Sequence, residues 1–337
     1  MICYAKSMTQ KPVLVSAIKP TGDLHIGNYF GAMRQFVELA REGKYRPFIF
    51  VADYHALNSM QDADEMRRRT REIVMAYLAI GLDPAEVTFF KQSDVPAHTE
   101  LCWIFDTITT MPYLMRAHAF KDAEAKNKEI NVGTFNYPML MAADILLYDA
   151  AIVPVGQDQK QHIEIARDIA EKFNRIFKED IFSLPEPYIM PEVATVPGID
   201  GQKMSKSYGN VIPLFASRDE LAKRVMSVVT DSGGHPMSTA TVDIGCPPPK
   251  NVYAIHALVR SKEELETIYA EHAGNYKMLK ELLIEDLDSY FASIRAKYDE
   301  LKNDFSIVDD VLARGKQEAR TLSEAKMERV RHAVGVV

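Results

Sequence analysis

Two short strings, far apart in the chain, carry residue types suited to phosphate chemistry. The first is Pro20-Thr21-Gly22-Asp23-Leu24-His25-Ile26-Gly27-Asn28. His25 and Asn28 are three residues apart, so on a helix they share a face, and both can donate hydrogen bonds to phosphate oxygens. Gly27 has no side chain, so a flat base can pack on its backbone. By itself the string also reads as a helix cap with a glycine relieving a tight turn. The second string is Gly201-Gln202-Lys203-Met204-Ser205-Lys206-Ser207-Tyr208-Gly209-Asn210. Nucleotidyl transfer needs cations where charge builds on the leaving group. A loop with glycines near both ends can bring Lys203 and Lys206 to a pyrophosphate and release them afterwards. A solvated basic loop is the plain alternative.

A third feature is an acid among apolar residues. In Tyr137-Pro138-Met139-Leu140-Met141-Ala142-Ala143-Asp144-Ile145-Leu146-Leu147-Tyr148, the spacing puts Tyr137, Met141, Asp144 and Tyr148 on one helix face, with Pro138 suited to the first helical position. A carboxylate there is costly unless it has a partner. An Arg, a backbone cap or a polar atom of a bound substrate would serve. An indole N–H is such a donor, and Met141 would pack on its ring. Val153-Pro154-Val155-Gly156-Gln157-Asp158-Gln159 follows as a strand and glycine turn, leading to a helix with Ile163, Ala166, Ala170 and Phe173 on its apolar face. The start of that helix forms another polar rim. Gln159 also reads as an exposed amide.

These residues need a frame. Short apolar runs at Val13–Ile18, Pro47–Ala52, Val87–Phe90 and Ile152–Val155 alternate with helical patterns, a long one over Asp62–Ile80. Such alternation implies an α/β layer with a parallel sheet. The loop after the first strand then lies where such sheets bind ligands. From Glu220 onward the pattern is helical, over Leu221–Val229, Glu263–Tyr269, Tyr276–Leu301 and Ser306–Val334. The chain has 337 residues, 47% hydrophobic and 26% charged, enough for about two domains. Its net charge of -7 excludes bulk nucleic-acid binding, so any RNA contact uses a local basic patch. Candidates are Arg314, Lys316, Arg320, Lys326, Arg329 and Arg331 on the closing helix, and Arg67, Arg68, Arg69 and Arg71. A solvated helix face is the alternative for both. Cys3, Cys102 and Cys246 lack zinc-site spacing and read as ordinary thiols of a reduced compartment. No run is long enough for a membrane span, and Met1–Pro12 has no long apolar core, so a cytoplasmic protein without a signal peptide is expected.

In this order, His25-Ile26-Gly27-Asn28 and Lys203-Met204-Ser205-Lys206-Ser207 resemble the paired ATP-binding motifs of class I aminoacyl-tRNA synthetases. The 137–148 and 153–162 stretches, with Asn28-Tyr29-Phe30-Gly31-Ala32 and Gln92-Ser93-Asp94-Val95-Pro96-Ala97-His98, resemble bacterial-type tryptophanyl-tRNA synthetases. That likeness runs from Leu14 to Gly335 and is weak between Gly233 and Lys250. It implies a Rossmann-like parallel-sheet catalytic domain plus a mostly helical C-terminal domain, divided as 1–198, 199–295 (lysine loop and anticodon-binding helices) and 296–337 (helices packing back on the first domain). It implies ATP-dependent formation of tryptophanyl-adenylate and transfer to tRNA(Trp) by a homodimer. Mg²⁺ would travel with ATP, with no metal site of the protein's own.

By the same resemblance, Asp144 accepts the indole N–H and Met141 contacts the ring. Tyr137 and Gln159 hold the α-amino group, and His55 lines the pocket. ATP falls to Lys19, Thr21, His25, Gly27, Asn28, Gly156, Asp158, Lys203, Met204, Ser205 and Lys206, with His25, Asn28, Lys203 and Lys206 acting in catalysis. Thr230-Asp231-Ser232 matches a short motif of the helical domain. The chain departs from the pattern at Val15, where many members place a Phe against the indole, and at Ala17 and Lys19. At Ala123 a second lysine is missing; Lys126 or Lys128 would have to supply its contact, and Lys19 would add another. A tyrosyl-tRNA synthetase shares the ATP motifs but expects a different pocket. A non-catalytic paralogue that binds RNA would tend to lose the lysines. A small-molecule adenylyltransferase would lack the helical half.

Overall fold

A computed structural model describes residues 11–117, 120–121, 124, 130–189, 196–230 and 249–337. Ala123, Lys126, Lys128, Asp231, Ser232, Cys3 and Cys246 lie outside the described residues. The chain packs as two compact units, each drawn from separated stretches: 1–21, 36–191 and 304–337 form one, 22–35 and 192–303 the other. The stretches are thus grouped by packing, not in the sequence-based division 1–198, 199–295 and 296–337.

The first unit is built on five parallel strands, β1 (Val13–Ile18), β2 (Arg46–Val51), β3 (Thr88–Lys91), β4 (Ala150–Val155) and β5 (Glu186–Ile189), in the order β3-β2-β1-β4-β5. Four of them lie where apolar runs predict them. β5 is additional: Pro185 and Pro187 make its sequence look like a loop, but an edge strand tolerates proline. The chain reverses its winding between β1 and β4, so the crevice at their carboxyl ends is where such a sheet takes ligands. Residues 19–21 and 156–159 follow those two strand ends.

Helix α1 (26–41) follows β1. It opens with Ile26–Asn28, makes a π-helical turn over Tyr29–Met33 and ends as Arg34–Arg41. Around the sheet come α2 (Ala63–Ala79), capped by Asp62, then α3 (Ala97–Ile108), α4 (Val132–Leu146) and α5 (Lys160–Phe177). Ile163, Ala166, Ala170 and Phe173 are all buried, as their spacing requires. Helix α4 starts six residues before Pro138, because the Asn131 side chain accepts the Thr134 N–H at 2.7 Å. Pro138 therefore sits inside the helix, not at its first position. The thiol of Cys102, on α3, is pushed up to about 12 by burial, with Asp106 and Asp144 adding to it.

In the second unit come α6 (Arg218–Met226), α7 (Lys250–His256), α8 (Lys262–Glu271) and α9 (Tyr276–Asn303); Leu265 and Tyr269 of α8 cluster with Leu279 of α9, and Leu221, Val225, Val252, Ile255, Leu283 and Leu287 form a core between α6, α7 and α9. Tyr29 and Phe30 join it through aromatic contacts with Tyr290 and Phe291, and the Tyr29 and Tyr290 hydroxyls are 3.1 Å apart.

The closing helix, α10 (Ser306–Val334), belongs to the first unit and runs along β3. At Gly315 its backbone meets the strand directly: a Cβ there would lie 1.9 Å from the Phe89 carbonyl oxygen. On an exposed helix, Gly→Ala stabilises by about 1 kcal/mol. Here overlap with backbone wins, because the strand cannot move without breaking its pairing to β2. Gly315→Ala is expected to destabilise the protein by about 1–3 kcal/mol, read as a lowered melting temperature. A raised one would show that helix and strand are not in contact there.

Candidate active site

In the second unit, Leu24–Ile26 pairs with 212–214. The Ile26 N–H donates to the Ile212 carbonyl at 3.0 Å and the Leu214 N–H to the Leu24 carbonyl at 3.0 Å. This clamp brings the two phosphate-type strings to one cleft of about 560 Å³, lined by His25, Gly27, Asn28, Gly31, Val196 and Lys203–Ser207. Such a volume suits a small-molecule ligand. Two glycines make the closeness possible. Gly22 has φ +64°, and a Cβ on it would sit 2.4 Å from Lys206 Cδ. A Cβ on Gly27 would sit 2.9 Å from His25 Nδ1 and 3.3 Å from Met204 Sδ.

The capping and the ligand readings of Asn28 are compatible. Its Oδ1 accepts the His25 backbone N–H at 3.1 Å, which leaves its NH₂ as the donor to offer a phosphate. His25 is buried, and its Nδ1 finds no hydrogen-bond partner among the described residues. Burial, then the nearby charge of Lys206, pulls the imidazole down to about 4. At neutral pH the ring is uncharged and offers one N–H. A cleft with a buried, unsatisfied ring nitrogen and two lysines is built for an anion.

In the first unit, Asp144 is 2% exposed and its carboxylate is held by three side chains from three elements. His55, from the short helix Asp53–Ala56 after β2, meets Oδ2 at 2.9 Å. Gln92, from the turn Gln92–Asp94 after β3, donates to Oδ1 at 2.7 Å. His98, on α3, meets Oδ1 at 2.6 Å through Nδ1. The Tyr148 hydroxyl sits 2.9 Å from His98 Nε2, on the side of the ring away from the acid. Asp53 braces the Gln92 turn, accepting the Ser93 N–H at 3.0 Å and bonding its hydroxyl. Burial pushes the Asp144 carboxyl up, but the hydrogen bonds from His55 and His98 outweigh it and hold the group at about 2. Asp144 is therefore ionised. Of a carboxylate's roughly four acceptor positions, the described residues fill three and leave one on Oδ2. Gln92 Oε1 is a second buried acceptor with no partner among the described residues.

The acid thus has structural partners and room for one more donor. Gln92 and His98 lie in the Gln92–His98 string, but nothing local marks them as partners of Asp144. Tyr137 OH is 3.1 Å from His162 Nε2. Met141 is half-buried against the core, and Val15 is packed inside it. Lys19 and Thr21 sit just past β1, while Gly156 and Gln159 sit just past β4. The Asp158 side chain lies outside what the structure describes.

The basic residues proposed for RNA are engaged within the chain. Arg314 donates to the Pro84 carbonyl, Arg320 to that of Asp94, and Arg329 to that of Asp180. Lys316 faces Asp94, Lys326 binds Asp149 and the Ile181 carbonyl, and Arg331 binds Glu100 and Glu324. Arg67, Arg68 and Arg69 pair with acids on their own helix, and Arg71 lies over the Phe305 ring. The closing helix is strapped to its own unit by these contacts. No helix of the described residues is long and apolar enough to cross a membrane.

The family profile described as tRNA synthetases class I (W and Y) matches residues 6–292. The tryptophan--tRNA ligase of Fusobacterium nucleatum is 45% identical over 96% of this chain and 98% of its own length. That of Campylobacter jejuni is 43% identical, covering 96% and 99%. The crystal structure of Campylobacter jejuni tryptophanyl-tRNA synthetase complexed with ADP and tryptophan superposes with TM-score 0.86 at 40% identity, covering 96% of this chain and 99% of the other.

The state of His25 is measurable. An unfolded imidazole titrates near 6.5, so between about 6.5 and about 4 the unfolded chain binds a proton that the folded one does not. Stability is expected to fall as pH drops through that window. Lys206→Met, by raising the folded value, should shrink the fall in urea unfolding measured at pH 7 and pH 5. Equal slopes in the two proteins would rule out the coupling. Saturating ATP should move the His25 NMR titration upward.

Proposed function

The chain belongs to the class I aminoacyl-tRNA synthetases of the tryptophan and tyrosine group, and from that premise we propose that it activates L-tryptophan with ATP and transfers it to tRNA(Trp). The observation that carries the choice of amino acid is Asp144, a buried, ionised carboxylate with one acceptor position open. An indole N–H completes it. Phenylalanine leaves it one bond short, and sites of this kind reject the lacking analogue by about 10⁴–10⁵. The second unit supplies the nucleotide chemistry: the NH₂ of Asn28, the neutral ring of His25 and the two loop lysines.

In this reading a carboxylate oxygen of tryptophan attacks the α-phosphorus. The bond to the β-phosphate breaks and pyrophosphate leaves with its developing charge on Lys203 and Lys206. The attacking carboxylate is already ionised, so no general base is needed. Mg²⁺ would arrive with ATP as part of the substrate. Tyr137 and Gln159 hold the α-amino group, His55 and Met141 border the ring, and Gly156 and Asp158 complete the nucleotide rim. Lys19 adds a contact to the triphosphate. The helices of 199–295 are assigned to the tRNA anticodon, in the cytoplasm. Homodimer formation is supported by apolar side chains left in water around α3 and the start of α4: Trp103 is 70% exposed, Met111 66% and Val132 80%. Trp103→Glu should yield monomers in sedimentation.

The deciding assay is pyrophosphate exchange into ATP with each amino acid in turn. Tryptophan alone should support it. Exchange with tyrosine alone would mean a tyrosyl enzyme, and none at all a non-catalytic paralogue. Asp144→Ala should lower kcat/KM for tryptophan by about tenfold to a hundredfold or more. Lys203→Ala should lower kcat by about 10²–10³. Normal exchange by either variant would remove that residue from the mechanism.

A further inference from the structure

The lysine loop is held in shape by a side chain to which no role has been given above. Asn210 is 2% exposed and makes three hydrogen bonds. Its Oδ1 accepts the Ser205 N–H at 2.8 Å. Its Nδ2 donates to the Asp200 carboxylate at 2.7 Å and to the Lys203 carbonyl at 3.2 Å. The opposite edge of the same segment is held by backbone: the Met204 N–H donates to the Val196 carbonyl at 2.9 Å, and Pro197 pairs with Lys203. Gly198 provides the space. A Cβ there would lie 2.4 Å from both Cγ and Nδ2 of Asn210.

The peptide from Lys203 to Ser205 is thus fixed along both edges, and the stems of Lys203 and Lys206 leave from a defined backbone. A lysine stem has many rotamers, and cations must meet a leaving group in a narrow geometry. We propose that Asn210 is a positioning residue for adenylate formation, setting the backbone from which Lys203 and Lys206 reach the leaving pyrophosphate. This rests on the assignment of that loop to ATP.

The test uses Asn210→Asp in the full-length protein. The variant keeps size and the acceptor for Ser205, loses both donations and sets a carboxylate against Asp200. Exchange kcat should fall ~10²-fold while KM for tryptophan and equilibrium tryptophan binding hold; the buried like-charge contact should also lower the melting temperature. Combining it with Asp200→Asn restores a donor–acceptor pair between positions 200 and 210, and should recover part of both the lost kcat and the lost melting temperature. Unchanged kcat, a loss that appears equally in tryptophan binding, or no recovery of kcat in the double variant would overturn the proposal. Lys203→Ala, run alongside, separates the two layers. If Lys203 matters and Asn210 does not, this inference alone falls. If neither matters, the assignment of the loop to ATP falls with it.

Discussion

A single buried negative charge organises the first unit. Asp144 could not stay ionised on an apolar helix unless other elements came to it. The helix after β2 brings His55, the turn after β3 brings Gln92, and α3 brings His98 with Tyr148 behind it. Burial by itself would push the acid toward its neutral form; the donors reverse that. Breaking one such contact leaves an under-satisfied charge in a low-dielectric interior, which costs more than the contact contributes when made. The carboxyl-end turns of two strands are therefore committed to this acid, and Asp53 is committed to holding one of those turns.

The second unit meets a different constraint, close approach. Two strings distant in sequence line one cleft because 24–26 pairs with 212–214 and because Gly22 and Gly27 leave room for Lys206 and Met204. The positive φ of Gly22 and the missing Cβ of Gly27 thus have separate causes, one in backbone conformation and one in packing. The cleft gathers positive charge around a ring kept neutral by burial. An incoming polyphosphate would meet the two lysines and the His25 nitrogen that has no partner among the described residues.

The closing helix shows basic residues serving the fold itself. Its run of cations reads as a nucleic-acid surface when only sequence spacing is known. In the fold, carbonyls at Pro84, Asp94, Asp180 and Ile181 and acids at Glu100 and Asp149 receive those cations, while Gly315 lets the helix backbone touch β3. Composition counts charges but cannot show which of them already have partners.

Much of the architecture was legible in advance, because strands, helices and phosphate-type strings are written in local spacing. The alternation of apolar runs predicted four parallel strands. The string around His25 and the lysine string pointed to phosphate chemistry, and an aspartate on an apolar helix face flagged itself as needing a partner. β5 and the start of α4 were missed where proline outweighed other local signals. What the sequence by itself determined is the kind of chemistry and the residues able to do it. Only the tertiary structure decided who satisfies Asp144, that the basic helix is strapped down, and that Asn210 holds the lysine loop. Partnerships of that sort join segments tens or hundreds of residues apart, and hydrogen-bond geometry and burial exist only once those segments have met.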